Sequence, residues 1–247
     1  MSVEPIRWLD LPQDSPPWRP GVRDEWAAAV VDELLESDYP HEFLAALFFD
    51  PIPLAALAGA GFLLMSQDMG GIPILLPKLH LERAVLAPCD FRVSKGLRGK
   101  LDAGKTGLLL HVSNNIGEAF DICVKRWGAD WLTPPLKEAL EGFPRDAENG
   151  GLPSARPLSF CLYRGGKLAA VEFGIAVGGV YTSYSGTWIE GGAGSMQMAM
   201  TAVWLAENGF ELWDLGMPMD YKARLGAEYF DRRTFVARFR AARGAKT

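Results

Sequence analysis

The stretch Arg156-Pro-Leu-Ser-Phe-Cys-Leu-Tyr-Arg-Gly-Gly-Lys-Leu-Ala-Ala-Val-Glu-Phe-Gly-Ile-Ala-Val-Gly-Gly-Val-Tyr-Thr-Ser-Tyr-Ser-Gly186 decides how this chain folds. Leu158–Tyr163 and Lys167–Ala176 are β-type runs separated by Arg164-Gly165-Gly166, the composition of a tight hairpin turn. A second glycine pair, Gly178-Gly179, leads into Val180–Ser185, so three antiparallel strands are expected in succession. The glycine-rich segment Gly191–Ser195 then opens an apolar run. In it Met196, Met200, Val203 and Trp204 recur at helical spacing, and Gly209 stands where a helix-ending glycine belongs. Phe210–Leu215 returns as a short apolar strand. The pattern predicts an α+β fold with a mixed, mainly antiparallel sheet flanked by helices.

Length and composition bound the reading. At 247 residues, with 49% hydrophobic and 22% charged residues, the chain can bury a sizeable core. A net charge of −5 argues against a protein coated in basic residues, while leaving room for a local basic patch. Cys89, Cys123 and Cys161 are scattered and odd in number, as are His41, His80 and His111. Neither set has disulfide or zinc spacing, so reduced thiols and no metal are expected. The acidic, proline-rich start does not read as a signal peptide. The apolar run Pro51–Met65 is too short, and too broken by proline and glycine, to span a bilayer. A cytoplasmic monomer without a membrane partner is the expectation.

Outward from the core, residues 1–24 read as an extended arm and Glu25–Ser37 as a helix. Gln67–Gly71 reads as a loop, and Ile72–Leu76 with Arg83–Leu86 as two short strands. Gly107–Val112 reads as a strand, Ile116–Trp127 as a helix, and Pro135 as the start of another helix ending near Phe143. Pro144–Arg156 has the composition of a mobile surface loop. Asp220–Gly226 reads as a helical turn and Arg232–Arg243 as a basic closing helix. A small N-terminal α/β domain over 1–80 and a main domain over 81–247 follow from this division.

Two motifs admit more than one meaning. Gly99-Lys-Leu-Asp-Ala-Gly-Lys-Thr106 matches the phosphate-loop pattern, but that chemistry needs a strand before and a helix after it. Here the order is reversed, which favours a solvent-facing basic helix and turn. Lys95, Arg98, Lys100 and Lys105 also form a positive cluster able to hold a phosphate backbone. The Gly191–Ser195 segment would let amides approach a pyrophosphate, or serve only as a turn with Ser195 as helix cap; Glu190 beside it would repel an anion.

Meander, glycine turn, helix and strand is the core arrangement of GNAT-type acyltransferases. Beyond the fold, the chain from about Ile72 to Arg240 resembles the leucyl/phenylalanyl-tRNA–protein transferases. The residues that carry this resemblance are Arg83-Ala84-Val85-Leu86, Phe91–Lys95 with Arg98, and Trp131-Leu132-Thr133. Leu212-Trp213-Asp214, Asp220–Ala227 and Tyr229–Phe235 complete the set. The resemblance implies a GNAT-like domain that uses aminoacyl-tRNA instead of acetyl-CoA and needs no cofactor. It would pass a bulky apolar amino acid (Leu, Phe or Met) to the N-terminal amine of an acceptor protein, marking it for degradation. Two departures stand out: Tyr184 replaces a family glutamate, and Gly216 replaces a glutamine two residues after Asp214.

Transfer from an activated ester needs positioning of the amine and a group that accepts its proton. Asp214 is the leading candidate, with a turn-capping carboxylate as its structural alternative; Tyr184 and Asp220 follow. Phe173, Tyr181, Met196, Met217 and Tyr221 could line an apolar substrate pocket or be plain core. Trp131 could stack on the terminal adenosine of tRNA or seal the core. An acyl-CoA-dependent N-acetyltransferase using Gly191–Ser195, and a non-catalytic tRNA- or peptide-binding relative, are the competing readings.

Overall fold

The computed structural model describes residues 6–11, 20–102, 107–144 and 155–244, with the side chains of 20–22 and 100–102 outside that description. In chain order it contains α1 (Pro20–Glu36), α2 (Pro51–Gly59), β1 (Leu63–Asp68), β2 (Pro73–Lys78) and β3 (Glu82–Leu86). A 3-10 turn at Pro88–Asp90 leads to α3 (Lys95–Asp102), β4 (Leu108–Ser113), α4 (Gly117–Trp127) and α5 (Pro134–Glu141). The remainder is β5 (Arg156–Arg164), β6 (Lys167–Val177), β7 (Val180–Trp188), α6 (Ala193–Glu207), β8 (Leu212–Gly216), α7 (Asp220–Arg224), β9 (Glu228–Asp231) and α8 (Arg232–Arg243).

The expected meander is the centre of a seven-stranded sheet ordered β4-β5-β6-β7-β8-β3-β9. Arg164 pairs with Lys167 across a two-residue turn, and both turn glycines have positive φ, 55° and 78°, as a right-twisted hairpin requires. Every pairing in this sheet is antiparallel except β7 with β8. That parallel contact is short: Val180, Tyr181 and Thr182 pair with Leu212, Trp213 and Asp214. Beyond Thr182 the two strands part. A register shift at Phe173/Gly174 makes Tyr184 an extra residue on β7, because Gly174 faces Ser183 and Phe173 faces Ser185. The fold is the α+β arrangement that the sequence predicted, a mixed, mainly antiparallel sheet flanked by helices.

One sheet face is covered by a core to which α1, α2, α4, α5 and α8 contribute, with Phe120 against Phe173 at 5.2 Å. The opposite face carries α6, whose buried Met196, Ala199, Ala202 and Leu205 fall three residues apart. Asn208 closes α6, and Gly209 follows at φ 78° with Phe210 N–H on the Leu205 carbonyl, the glycine ending expected there. Ser195 is not the cap: Gly192 holds that position in a left-handed conformation, and Ser195 lies inside the first turn. The proline preference for a first helical position explains why α1 starts at Pro20, ahead of the expected Glu25.

Near the N-terminus the strand reading needed revision. β2 and β3 belong to different sheets, because β2 pairs antiparallel with β1 in a separate two-stranded ribbon. Gln67 and Asp68, read as loop, are the end of β1. β9 went unread and forms the sheet edge against β3. The division at residue 80 is a proposal: its N-terminal side has its own ribbon, yet one apolar cluster joins α1 and α2 to α4 and α8. The reversed order around the phosphate-loop match holds, with α3 before it and β4 after; residues 103–106 lie outside the described residues. So do 145–154, most of the expected surface loop. Among the described residues no helix is long and apolar enough to cross a membrane.

Candidate active-site cleft

The parting of β7 from β8 makes the site. A cleft of about 550 Å³ lies between Ser183–Trp188 of β7, the first turns of α6 (Gly194, Ser195, Gln197, Met198), Leu215 of β8, and Tyr221 and Lys222 of α7. Glu172 of β6 is also part of its lining.

Glu172 is the one charge in the run Leu168–Val177 and is only 5% exposed. Burying a carboxylate is costly unless donors meet it. Ser183 donates its hydroxyl proton to Oε1, and the Gln197 amide donates to Oε2 at 2.8 Å. Both donors are themselves held, since Trp213 Nε1–H donates to Ser183 Oγ at 2.8 Å and Gln197 Nε2 also reaches Thr201 Oγ1 at 2.8 Å. Burial pushes the Glu172 pKa up, and the hydrogen bonds from Gln197 and Ser183 pull it partly back. Burial, then the nearby Glu172 charge, raises Tyr181 well above the ordinary tyrosine value. Among the described residues the buried Tyr181 hydroxyl has no partner of good hydrogen-bond geometry, though it lies close enough to Glu172 for each to shift the other.

On the opposite wall Lys222 donates Nζ–H to the carbonyls of Leu215 at 2.5 Å and Met217 at 2.7 Å. Burial lowers its pKa to about 8; Asp214 opposes that shift and Arg83 adds to it. Exposed Trp188 and Tyr221 line the cleft, and Ile189, Met217 and Met219, close to them in sequence, are exposed as well.

The sequence candidates divide sharply. Tyr184 and Tyr221 line the cleft. Tyr184 is the bulged residue; its hydroxyl accepts the Leu64 N–H at 3.2 Å, and burial raises its pKa. Asp214 does not line it. Arg83 Nε and Nη2 donate to its Oδ1 and Oδ2 at 2.9 and 2.7 Å, the Gly216 N–H donates to Oδ1 at 2.9 Å, and both partners of the pair are fully buried. This is the turn-capping geometry named as its alternative. Gly216 sits at φ 77°, a conformation that side chains resist, which suits the glycine found there. Asp220 is exposed in the first turn of α7. Phe173 and Tyr181 are core residues, and Met196 packs in a small cluster with Leu162, Ala169, Ala170 and Ala193. Met217 is exposed rather than inside a pocket. Trp131 packs against the N-terminal core, its carbonyl accepting from Ser66.

Lys95 and Arg98 are exposed on α3, which rests on the α6 side of the sheet through Leu97. The side chain of Lys100 and all of Lys105 lie outside the described residues. Arg92 is exposed beside the turn after α7, its N–H on the Leu225 carbonyl, and Arg224 is exposed in that helix. Among the described residues none of these four cations has a carboxylate within salt-bridge distance, in contrast to Arg164, which pairs with Glu190 at 2.9 Å.

Comparison with known proteins supplies the family. A family model described as leucyl/phenylalanyl-tRNA protein transferase matches residues 85–240, which takes in the sheet except the first three residues of β3, together with α6 and the whole cleft. The chain belongs to the leucyl/phenylalanyl-tRNA protein transferase family. A search of curated proteins gives no match. Similar solved structures include L-PGS from Bacillus licheniformis (13% identity, TM-score 0.42, 89% of this chain and 79% of that one) and FemX (10%, 0.42, 84% and 75%). A GCN5-related N-acetyltransferase from Anabaena variabilis also matches (9%, 0.39, 85% and 47%). Scores this low carry no functional weight.

Membership of the transferase family assigns the class of chemistry, and the cleft shows which side chains the sequence reading passed over. Glu172, Ser183, Gln197, Lys222 and Trp188 were all missed. Glu172 carried a signal, a lone acid in an apolar strand; Gln197 carried a weaker one, an amide inside an apolar helix.

Proposed function

We propose that the chain moves a bulky apolar amino acid from aminoacyl-tRNA to the N-terminal amine of an acceptor protein, with the cleft beside β7 taking the charged 3′ end. The observation that carries this reading is the joining of the family match to an open cleft at the place where β7 leaves β8. Each wall of the cleft fits part of the task. Exposed Trp188 in the cleft lining is placed to stack on the terminal adenine, the role first read for Trp131. Met198 and Leu215 give the transferred side chain an apolar lining. Lys222 has three N–H donors and uses two on carbonyls, leaving one for the ester oxygen as it gains negative charge. Arg92, Lys95, Arg98 and Arg224, exposed and without a carboxylate partner among the described residues, supply positive charge for the acceptor stem. The acceptor amine would enter past Met217, Met219 and Tyr221. A cytoplasmic monomer acting in N-terminal-residue-dependent degradation completes the proposal.

One observation keeps an acyl-CoA reading in play: the uncapped first turn of α6 lines the cleft, and Glu190 is drawn off by Arg164. Thermal-shift measurements separate the two. A 3′-aminoacylamino-adenosine analogue should raise the melting temperature while acetyl-CoA leaves it unchanged. The opposite pattern would replace the aminoacyl-tRNA reading with the acyl-CoA one.

A further inference from the structure

We infer that Glu172 receives the α-ammonium group of the acceptor and takes its proton before attack on the ester, a role that rests on the aminoacyl-transfer reading above. Among the described residues lining the cleft, Glu172 is the one acid. It is nearly fully buried, and no cation pairs with it among the described residues. The lysine of the same cleft, Lys222, directs its ammonium at the Leu215 and Met217 carbonyls. A buried carboxylate held by neutral donors alone carries an unmet charge, and a substrate ammonium would meet it.

The carboxylate is also aimed. Because Ser183 Oγ accepts from Trp213, its own proton points to Glu172, and Gln197 holds the other oxygen. Each carboxylate oxygen accepts about two hydrogen bonds, so each retains capacity for an incoming N–H. Asp214 lacks that capacity at the cleft, since Arg83 and the Gly216 amide surround it.

The step balances. The ammonium passes one proton to Glu172, and the freed lone pair attacks the ester carbonyl carbon. The bond from that carbon to the ribose 3′-oxygen breaks. The nitrogen gives its second proton to the departing oxygen, leaving an amide and uncharged tRNA, and Glu172 returns its proton to water. A chain α-amine has a pKa of about 8, and burial of Glu172 narrows the gap across which the proton moves. The titratable groups that interact with Glu172 are Tyr181 on β7, Cys123 on α4 and Tyr221 on α7, and Tyr184 and Lys222 line the same cleft. Burial pushes the Cys123 thiol up to about 12 and raises the tyrosines, so these stay neutral below pH 8.

Calorimetry on the full chain without tRNA tests the site. The probes are a short peptide beginning with alanine, with its amine free, and the same peptide N-acetylated. Wild type should bind the free form at least about ten-fold more tightly; Glu172→Gln should abolish that preference, and Glu172→Asp should retain part of it. In transfer assays Glu172→Gln should lower kcat by about a hundred-fold, the usual size of a proton-transfer contribution. Equal binding of both peptides by wild type, or a preference that survives in folded Glu172→Gln, overturns the inference. Should Glu172→Gln not fold, the wild-type preference must weaken from pH 7 to pH 5; a constant preference overturns the inference. Wild type that prefers the free amine through Glu172 yet takes nothing from charged tRNA keeps the amine site and rejects the aminoacyl-tRNA donor.

Discussion

At the residue scale, the two side chains Asp214 and Lys222 do different work. Asp214 and Arg83 form a fully buried bidentate pair, with Arg83 also reaching the Gly61 carbonyl at 3.2 Å and lying 4.4 Å from the Phe235 ring. Breaking one member of such a pair leaves an uncompensated buried charge, a loss of about 3–5 kcal/mol. Asp214→Asn should therefore lower unfolding free energy by that order in urea titration, and Asp214→Leu with Arg83→Met should recover much of it. A stable but transfer-dead Asp214→Asn would instead give Asp214 a chemical role. Lys222 makes a pH prediction. Its folded pKa of about 8 lies below the ordinary lysine value of about 10.4, so the unfolded chain binds more protons between these limits. Stability contributed at this site should rise from about pH 8 to 10.4 and stay level below pH 8, where both states hold the proton. Comparing wild type with Lys222→Met across that window checks the sign: the variant should lack the rise.

At the element scale, the strand order and the β7 bulge place the chemistry. Gly174 stands opposite the bulge, and a β-carbon there would lie 2.0 Å from the Thr182 carbonyl oxygen. Gly174→Ala must push β6 from β7 and move Glu172 relative to Ser183. It should cost about 2 kcal/mol or more, in the range of overpacked cores, and lower transfer along with stability. Native stability in Gly174→Ala would show that the bulge yields freely.

The same element explains what the sequence disclosed and what it hid. Local signals suffice for the strands and helices of the core, with paired glycines in the turns and apolar residues at helical spacing in α6. The buried stripe there is Met196, Ala199, Ala202 and Leu205, while Val203, read with the apolar face, is exposed. β1, the partner of the strand read at Ile72–Leu76, was hidden because Met65-Ser66-Gln67-Asp68 lacks β-branched residues. The polar cluster was hidden for a different reason. Glu172, Ser183 and Gln197 are 11 and 14 residues apart in succession, and only the bulge and the seating of α6 bring them together. Asp214 sat in the motif most suggestive of catalysis, yet its burial against Arg83 depends on β3 crossing to pair with β8.

At the scale of the whole molecule, an acidic chain of net charge −5 carries exposed cations on α3 and around α7 that have no carboxylate partner among the described residues. If Arg92, Lys95, Arg98 and Arg224 each meet one phosphate, the logarithm of tRNA affinity should fall with that of salt at a slope of about −3. Lys95→Ala with Arg98→Ala should reduce the slope by about 1.5 and weaken charged and uncharged tRNA alike. An unchanged slope would move the tRNA footprint elsewhere.

The most direct measurement is transfer of label from Leu-, Phe- and Met-tRNA to a peptide with a free N-terminal amine. The account predicts a labelled amide at the peptide N-terminus, dependent on the intact cleft and lost when the amine is acetylated. Label that stays on tRNA with every donor and acceptor, while the folded protein binds tRNA normally, would contradict it.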